Sequence, residues 1–325
     1  MTDDERLDLL GQVASWYYED RLDQREIGAR IGRSRSMVSR LLTEARDRGI
    51  VEIRVRLPLR TERHLEERLV DAFGLGQAHV VTHTDADPDT LIRRIGRLGA
   101  RSVQGRLRSA MTVTIGWGAS LHRVVSAMPE VQLDDVMVLQ TMGSVGDGDP
   151  EVDGADLART LAGRLNGDFR TLAAPLIVDR PEAARSLLQD RTIAATLAMA
   201  ERADLAITGI GSIDSHVSGL VRAGYFDETA IERLRGIGVV GDVMGYLIDA
   251  HGRVLDIIEN EQVIALHPDR LSGIGTVIGV AGGIAKAAAI TATLRAGRLD
   301  VLVTDAETAA AVLQMHQSDD LVKVG

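Results

Sequence analysis

A chain of 325 residues exceeds what one small core organises and suits two or three domains. A hydrophobic fraction of 45% with near-zero mean hydropathy fits a water-soluble globular protein, and no apolar run reaches the ~20 residues of a membrane-spanning helix. There is no cysteine, which excludes disulfides, Cys-based zinc sites and thiol nucleophiles, and the net charge of −10 is unevenly spread: −5 over residues 1–20, +6 over 21–60 and −11 over 61–325.

The start, "MTDDERLDLL", is acidic and has no apolar signal-peptide region, so a cytoplasmic location is expected. Residues 3–19 read as a helix, with Leu7, Leu10, Ala14 and Tyr17 at helical spacing. Asp23 and Glu26 have the spacing of a capping box for a second helix that carries Ile27 and Ile31 on one face. Gly32 supplies the left-handed turn, and Ser34 caps a third helix with Val38, Leu41, Leu42 and Ala45 inward. Ala29 is the small residue expected where the two helices cross. "IVEIRVRL" at 50–57 then alternates strictly and reads as a basic wing strand. Together these make a winged helix-turn-helix, a device for major-groove DNA. The DNA-facing residues are Gln24, Ser34, Arg35, Ser36, Ser39 and Arg40, with Arg54 from the wing. Short Ser side chains reach phosphate or base, and Arg pairs both guanine acceptors. A plain helical hairpin with a solvated basic face shares the turn but not the full set of features.

Residues 7–57 resemble the N-terminal domain of the SorC family of sugar-responsive bacterial transcriptional regulators, in order and spacing of these features. The expected domains are 1–57 for DNA, a linker helix within 58–75 and an effector-binding and oligomerisation domain over 76–325.

From Ala78 strand-length apolar runs alternate with helical stretches. Strands are expected in "AHVVTH", "MTVTIGWG", "VMVLQTMG", "DFRTLAAP", "LAITGIG", "VVGDVMGYLID", "TVIGVAGG" and "DVLVTD". Helices are expected over 88–107, 119–128, 153–165, 182–202, 227–236, 283–296 and 306–315. This alternation implies an α/β, Rossmann-like, mostly parallel sheet covered on both faces. Five strands run into glycine-rich turns, at 115–120, 141–146, 208–212, 240–245 and 279–286, where a sheet of this kind binds ligands. None is a P-loop, and the first is not a complete dinucleotide fingerprint. Lys286 is one of only two lysines beside 35 arginines and follows such a turn. Asp242 sits in an apolar strand, where an acid needs partners such as sugar hydroxyls.

"VTIGWGASLHRVV", "VVGDVMGYLIDAHGRVLD" and "VIGVAGGIAKAAAITATLRAGRLDVLVTDAETA" resemble the SorC effector domain, itself similar in fold to glucosamine-phosphate deaminases and ribose-phosphate isomerases. The resemblance implies that Gly116, Gly118, Ser120 and Lys286 hold an effector phosphate and that Asp242 faces the sugar. The turn from Gln140 to Gly143 is implied to line the same pocket, joined by Gly211 of the turn at 208–212. Trp117 is bulky for a phosphate loop and Ala119 lacks a hydroxyl, which leaves an unphosphorylated sugar or polyol open as effector. "TGIGSIDSHVSG" is similar to the "GIG…DGH" run of the deaminases. Here Asp214 and His216 are displaced and Ser215 replaces the glycine, so a lost catalytic site is expected. The alternative is a phosphosugar isomerase or deaminase carrying a DNA-binding domain. No metal-ligand spacing or cofactor motif is present. The expected partners are operator DNA, a sugar, polyol or sugar phosphate, and further copies of the chain as dimer or tetramer.

Overall fold

The computed structural model describes residues 3–51, 59–82, 87–145 and 152–324, and the chain divides into two compact units, 1–58 and 59–325.

The first unit holds three helices: α1 (Asp3–Tyr18), α2 (Gln24–Ile31) and α3 (Arg35–Asp47). Asp23 closes a capping box on α2, accepting from the Arg25 and Glu26 amides while its own N–H donates to the Glu26 carboxylate at 2.8 Å. Gly32 takes φ +62° and ends α2, and the Ser34 hydroxyl accepts from Met37 N–H at 3.3 Å to start α3. Leu10, Val13, Ile27, Val38, Leu41, Leu42 and Ala45 make the core. Arg6 pairs with Glu44 to tie α1 to α3.

The close crossing is made by Gly28, not Ala29. A Cβ at Gly28 would stand 2.6 Å from the Arg33 carbonyl, whereas Ala29 is exposed. One residue along a helix is a turn of about 100°, which is enough to move a side chain from core to solvent. The wing strand read at 50–57, Arg54 included, lies for the most part outside the described residues.

The second unit begins with α4 (Arg63–Phe73), β1 (Gln77–Val81), α5 (Pro88–Gln104), β2 (Thr112–Ile115), α6 (Ala119–Ala127), β3 (Met137–Gln140), α7 (Gly154–Leu165) and β4 (Asp168–Arg170). It continues with α8 (Pro181–Leu188), α9 (Arg191–Ala200), β5 (Leu205–Gly209), β6 (Gly211–Ser212), α10 (Gly219–Arg222), α11 (Glu228–Gly236), β7 (Gly241–Val243) and β8 (Tyr246–Ile248). The last elements are α12 (Ile258–Glu261), β9 (Val277–Val280), α13 (Ala287–Arg295), β10 (Val301–Asp305) and α14 (Ala306–Val324). Seven strands form one wholly parallel sheet in the order β1-β10-β9-β5-β2-β3-β4. One face packs on α5, α6 and α7 through Ile95, Leu121, Val124 and Leu161, and the other on α9, α13 and α14 through Ala200, Ile290 and Val312. The helix expected as a linker, α4, is part of this unit: Leu69 is fully buried in the second of these cores.

Two further expectations changed. "VVGDVMGYLID" is not one strand but the β7–β8 hairpin of a small antiparallel sheet with β6, turned by Met244 (φ +53°) and Gly245 (φ +82°). Two consecutive left-handed residues make the tight hairpin loop that matches strand twist. Methionine is rare there, so the turn did not announce itself. The stretch 182–202 is two helices, because Asp190 accepts from the Thr192 and Ile193 amides and caps a new start.

Candidate functional site

The exposed face of α3 presents Arg35, Ser36, Ser39, Arg40 and Arg46, opposite its buried Val38, Leu41 and Leu42. Arg35 and Arg40 make no ion pair among the described residues, so both guanidiniums are free for a ligand. Ser34 is committed to capping and exchanges a 2.9 Å hydrogen bond with Ser36. Gln24, half-buried at the start of α2, flanks the same turn. Arg30, though exposed, lies 5.4 Å over the Trp16 ring, a contact made within the unit.

In the second unit the strand order reverses between β2 and β5: the chain runs from β2 out to β3 and β4, then returns to β5 on the other side. A ligand crevice is expected at that switch point, beyond the carboxyl ends of the strands. A cleft of about 840 Å³ lies there, within the size range of ligand sites. Its floor is Gly116–Ser120 after β2 and Thr208–Gly211 after β5; Asp242, Gly282, Gly283 and Lys286 form one wall, and Ile92 and Ile95 of α5 another.

The glycine loop is shaped by backbone bonds. Gly116 N–H donates to Ile207 O at 3.0 Å and Gly118 N–H to Val152 O at 2.9 Å. Gly118 takes φ +111°, which only glycine adopts at low cost, and it turns the chain into α6 with no side-chain cap. The helical ladder starts with His122 N–H on Gly118 O, so the Ala119, Ser120 and Leu121 amides are left for a partner. Ser120 is buried, and its hydroxyl makes no hydrogen bond among the described residues. Trp117 lines the cleft with its indole against α10: a Cβ at Gly219 would stand 3.1 Å from the ring. Its bulk therefore lies along the wall and does not fill the loop.

Asp242, on β7, is 6% exposed. Burial pushes its carboxyl up to about 6, against the Gly245 N–H it accepts at 3.3 Å and the charge of Lys286. Gly211 pairs with it across the small sheet, and a Cβ there would lie 1.8 Å from Asp242 Oδ1, so glycine is what lets the carboxylate sit. Lys286 ends a tight turn after Gly283 (φ +93°). That turn is anchored by the buried Asp305, which accepts from Gly283 N–H at 2.8 Å and from the Thr308 hydroxyl at 2.7 Å. Burial lowers the Lys286 ammonium, Asp242 raises it and Arg222 lowers it again. For both members of the pair burial outweighs mutual attraction, and among the described residues neither makes a direct ion pair. The cleft thus holds an acid and a base whose charges an arriving polar ligand can satisfy.

Two residues expected at the site do other work. Gln140 is fully buried, its carbonyl accepting from Leu172 N–H at 2.8 Å. Gly143 lies under the crossing chain, where a Cβ would meet Pro175 O at 2.2 Å. Neither lines the cleft; Met142 and Val145 of the same turn do. Gly116, Trp117, Gly118, Ser120, Gly211, Asp242 and Lys286 are brought together. The reading from sequence missed Arg222, exposed at the cleft edge beside Lys286, and the apolar Ile92, Ile95 and Met244. One arginine among 35 carries no signal, and α5 carries no glycine turn to mark it. Asp214 and His216 stand outside the cleft: the Asp214 carboxylate accepts from His216 N–H at 2.9 Å, and the imidazole is exposed. Among the described residues no cluster of His, Asp or Glu is arranged to hold a metal, and no helix is long and apolar enough to cross a membrane.

The family model of a sugar-binding domain (Sugar-bind) matches residues 58–314. The transcriptional regulator LsrR of Klebsiella pneumoniae is 31% identical over 311 residues, covering 95% of this chain and 93% of the relative. The deoxyribonucleoside regulator of Bacillus subtilis is 28% identical, covering 96% and 99%. The crystal structure of the full-length sorbitol operon regulator SorC from Klebsiella pneumoniae superposes with a TM-score of 0.69 at 25% identity, covering 96% of this chain and all of that one.

Proposed function

This chain belongs to the SorC family of sugar-responsive transcriptional regulators, and for a member of that family we propose the following division of tasks. The first unit reads operator DNA through Arg35, Ser36, Ser39 and Arg40, with Gln24 and Ser34 at the edge of the contact and Arg54 from the wing segment. The cleft of the second unit takes a sugar, polyol or sugar phosphate. Its anionic or most polar end lies at the open start of α6 and Ser120, with Lys286 and Arg222 above it. Its hydroxyls face Asp242. The observation that carries this assignment is the buried Asp242, whose one hydrogen bond is from Gly245 N–H, and the half-buried Lys286 near it, with no direct ion pair between them, beside uncapped helix amides.

We assign no catalytic step. The acid and imidazole that a deaminase-like reaction needs are Asp214 and His216, and the first is spent on a turn while the second faces solvent. The protein is assigned to the cytoplasm, where its DNA is, and to a homodimer or homotetramer, since one helix-turn-helix reads few base pairs and a two-fold doubles the site.

The test is a thermal-shift panel of sugars, polyols and their phosphates, followed by calorimetry and operator titration at fixed salt. One carbohydrate class is expected to raise the melting temperature and change operator affinity. Turnover of a phosphosugar, or binding of carbohydrate with no effect on operator affinity, overturns the reading.

A further inference from the structure

The parallel sheet has two edges, and they are treated differently. The outer edge of β1 is closed by the preceding segment: Glu62 N–H donates to Val80 O at 2.9 Å and Thr82 N–H to Arg60 O at 3.0 Å, with Thr61 bridged antiparallel to Val81. The outer edge of β4 has no such cover among the described residues. An open edge is a template for another strand, and proteins ordinarily blunt or bury it.

β4 is three residues long, and all three are exposed, Phe169 at 45%. Asp168 N–H donates to Val136 O, so the backbone of Asp168 points inward to β3. Successive residues of a strand point their backbone groups to opposite sides, so the N–H and C=O of Phe169 point outward. Asn166 in the left-handed conformation (φ +57°) turns the chain directly from α7 into the strand and fixes its start. Asp168 and Arg170 share one face of the sheet. Neither makes an ion pair among the described residues; the Arg170 guanidinium touches only Met199 Sδ, at 3.3 Å. Phe169 projects from the opposite face, level with Val138.

We infer that β4 is a self-association edge, which pairs antiparallel with β4 of a second copy about a two-fold axis at Phe169. The pattern of charge selects that occupant. With Phe169 opposite its own copy, the outward N–H and C=O of each Phe169 exchange two hydrogen bonds across the axis. Asp168 of each chain then faces Arg170 of the other, which gives two ion pairs on one face, and the phenyl rings meet on the other. A two-fold interface must be self-complementary, and an Asp-Phe-Arg strand is so in this one register. A slip of one residue either way sets like charges or a charge and a ring opposite each other. The short charged strand thereby discourages general aggregation while permitting its own copy.

This inference deepens the homo-oligomer assignment made above and rests on it. It is tested by sedimentation equilibrium of the full chain over a concentration series at low salt, with no DNA. Asp168→Arg or Arg170→Asp alone places like charges opposite each other twice, and each is expected to raise the dissociation constant of one assembly step about tenfold or more. The double variant Asp168→Arg/Arg170→Asp restores opposite signs and is expected to return close to wild type. Arg170→Ala, which introduces no repulsion, is expected to fall between, and circular dichroism melts confirm that each variant folds. Single variants that associate like wild type, or a double variant no better than the singles, overturn the edge assignment and leave the oligomer standing. A wild-type chain that is monomeric at every concentration overturns both.

Discussion

The two units present charge in opposite ways. In the first, the side chains assigned to DNA are arginines and serines in full solvent, mounted on a helix whose other face is a small core. In the second, the side chains assigned to the effector are an acid and a lysine sunk into a cleft, each with its charged form disfavoured by burial. DNA offers dense charge and needs only reach and register, so exposed cations suffice. A small ligand, neutral or with a single phosphate, offers few contacts, and each gains strength only where water is excluded. The difference separates the two functions energetically, and it can be attacked one unit at a time.

The largest effect is expected from the small core. Leu41 is 1% exposed and lies in the single cluster that holds α1, α2 and α3 together. Leu41→Ala is expected to cost about 2–5 kcal/mol, enough to unfold so small a unit. Calorimetry is expected to show the first unit's transition lost or strongly lowered and that of the second unmoved, with effector binding retained.

Next comes the cleft's tightest point. Gly211→Ala forces its new methyl against Asp242, since Oδ1 would stand 1.8 Å away. Displacing that carboxylate is expected to weaken effector binding by about a hundredfold, the scale of one misplaced buried charged group, while operator binding without effector stays as in wild type. Calorimetry and operator titration check the two halves of this statement separately.

Arg35→Ala is expected to do the reverse. Loss of a base-reading arginine costs about 1–3 kcal/mol of operator affinity and leaves effector affinity unchanged. Lys286→Ala removes a charge-assisted contact worth about 1.5–3 kcal/mol, so effector affinity is expected to fall about tenfold or more with unliganded operator affinity intact. If either variant moves both affinities in the absence of the other ligand, the two sites are not separate.

The smallest effect is a pH dependence confined to the second unit. The folded carboxyl of Asp242 is raised from its ordinary value of 3.8 to about 6, so the folded state binds the extra proton between those values. Its contribution to stability is therefore greatest in acid and declines as pH rises toward 6. Effector binding runs the other way, because the ionised carboxylate is the better acceptor for sugar hydroxyls: affinity is expected to fall as pH drops through about 6. Calorimetry between pH 5 and 8 is expected to show this slope in wild type and not in Asp242→Asn.

Much of the molecule was legible from local patterns. The capping box of Asp23 and Glu26, the Gly32 turn and the inward face of α3 are all set by neighbours within a few residues, so spacing alone revealed them. The alternation of strands and helices likewise revealed a parallel sheet, and its glycine turns pointed to its carboxyl edge. What failed depended on contacts distant in the chain. Gln140 and Gly143 are consumed by Leu172 and Pro175, some thirty residues on, and nothing nearby marks that. Arg222 reaches the cleft because α10 packs on Trp117, a pairing across a hundred residues.

The sequence by itself determined most of the helices and strands, and its resemblance to known regulators pointed to the class of regulator. The elements follow from periodicity, caps and turn residues, whose energies are local and repeat along the chain. The tertiary structure decided which glycine is a close crossing, which acid is buried beside which lysine, and which sheet edge stays open. Each of these is a distance between residues far apart in the chain, fixed only when the strands take their order in the sheet.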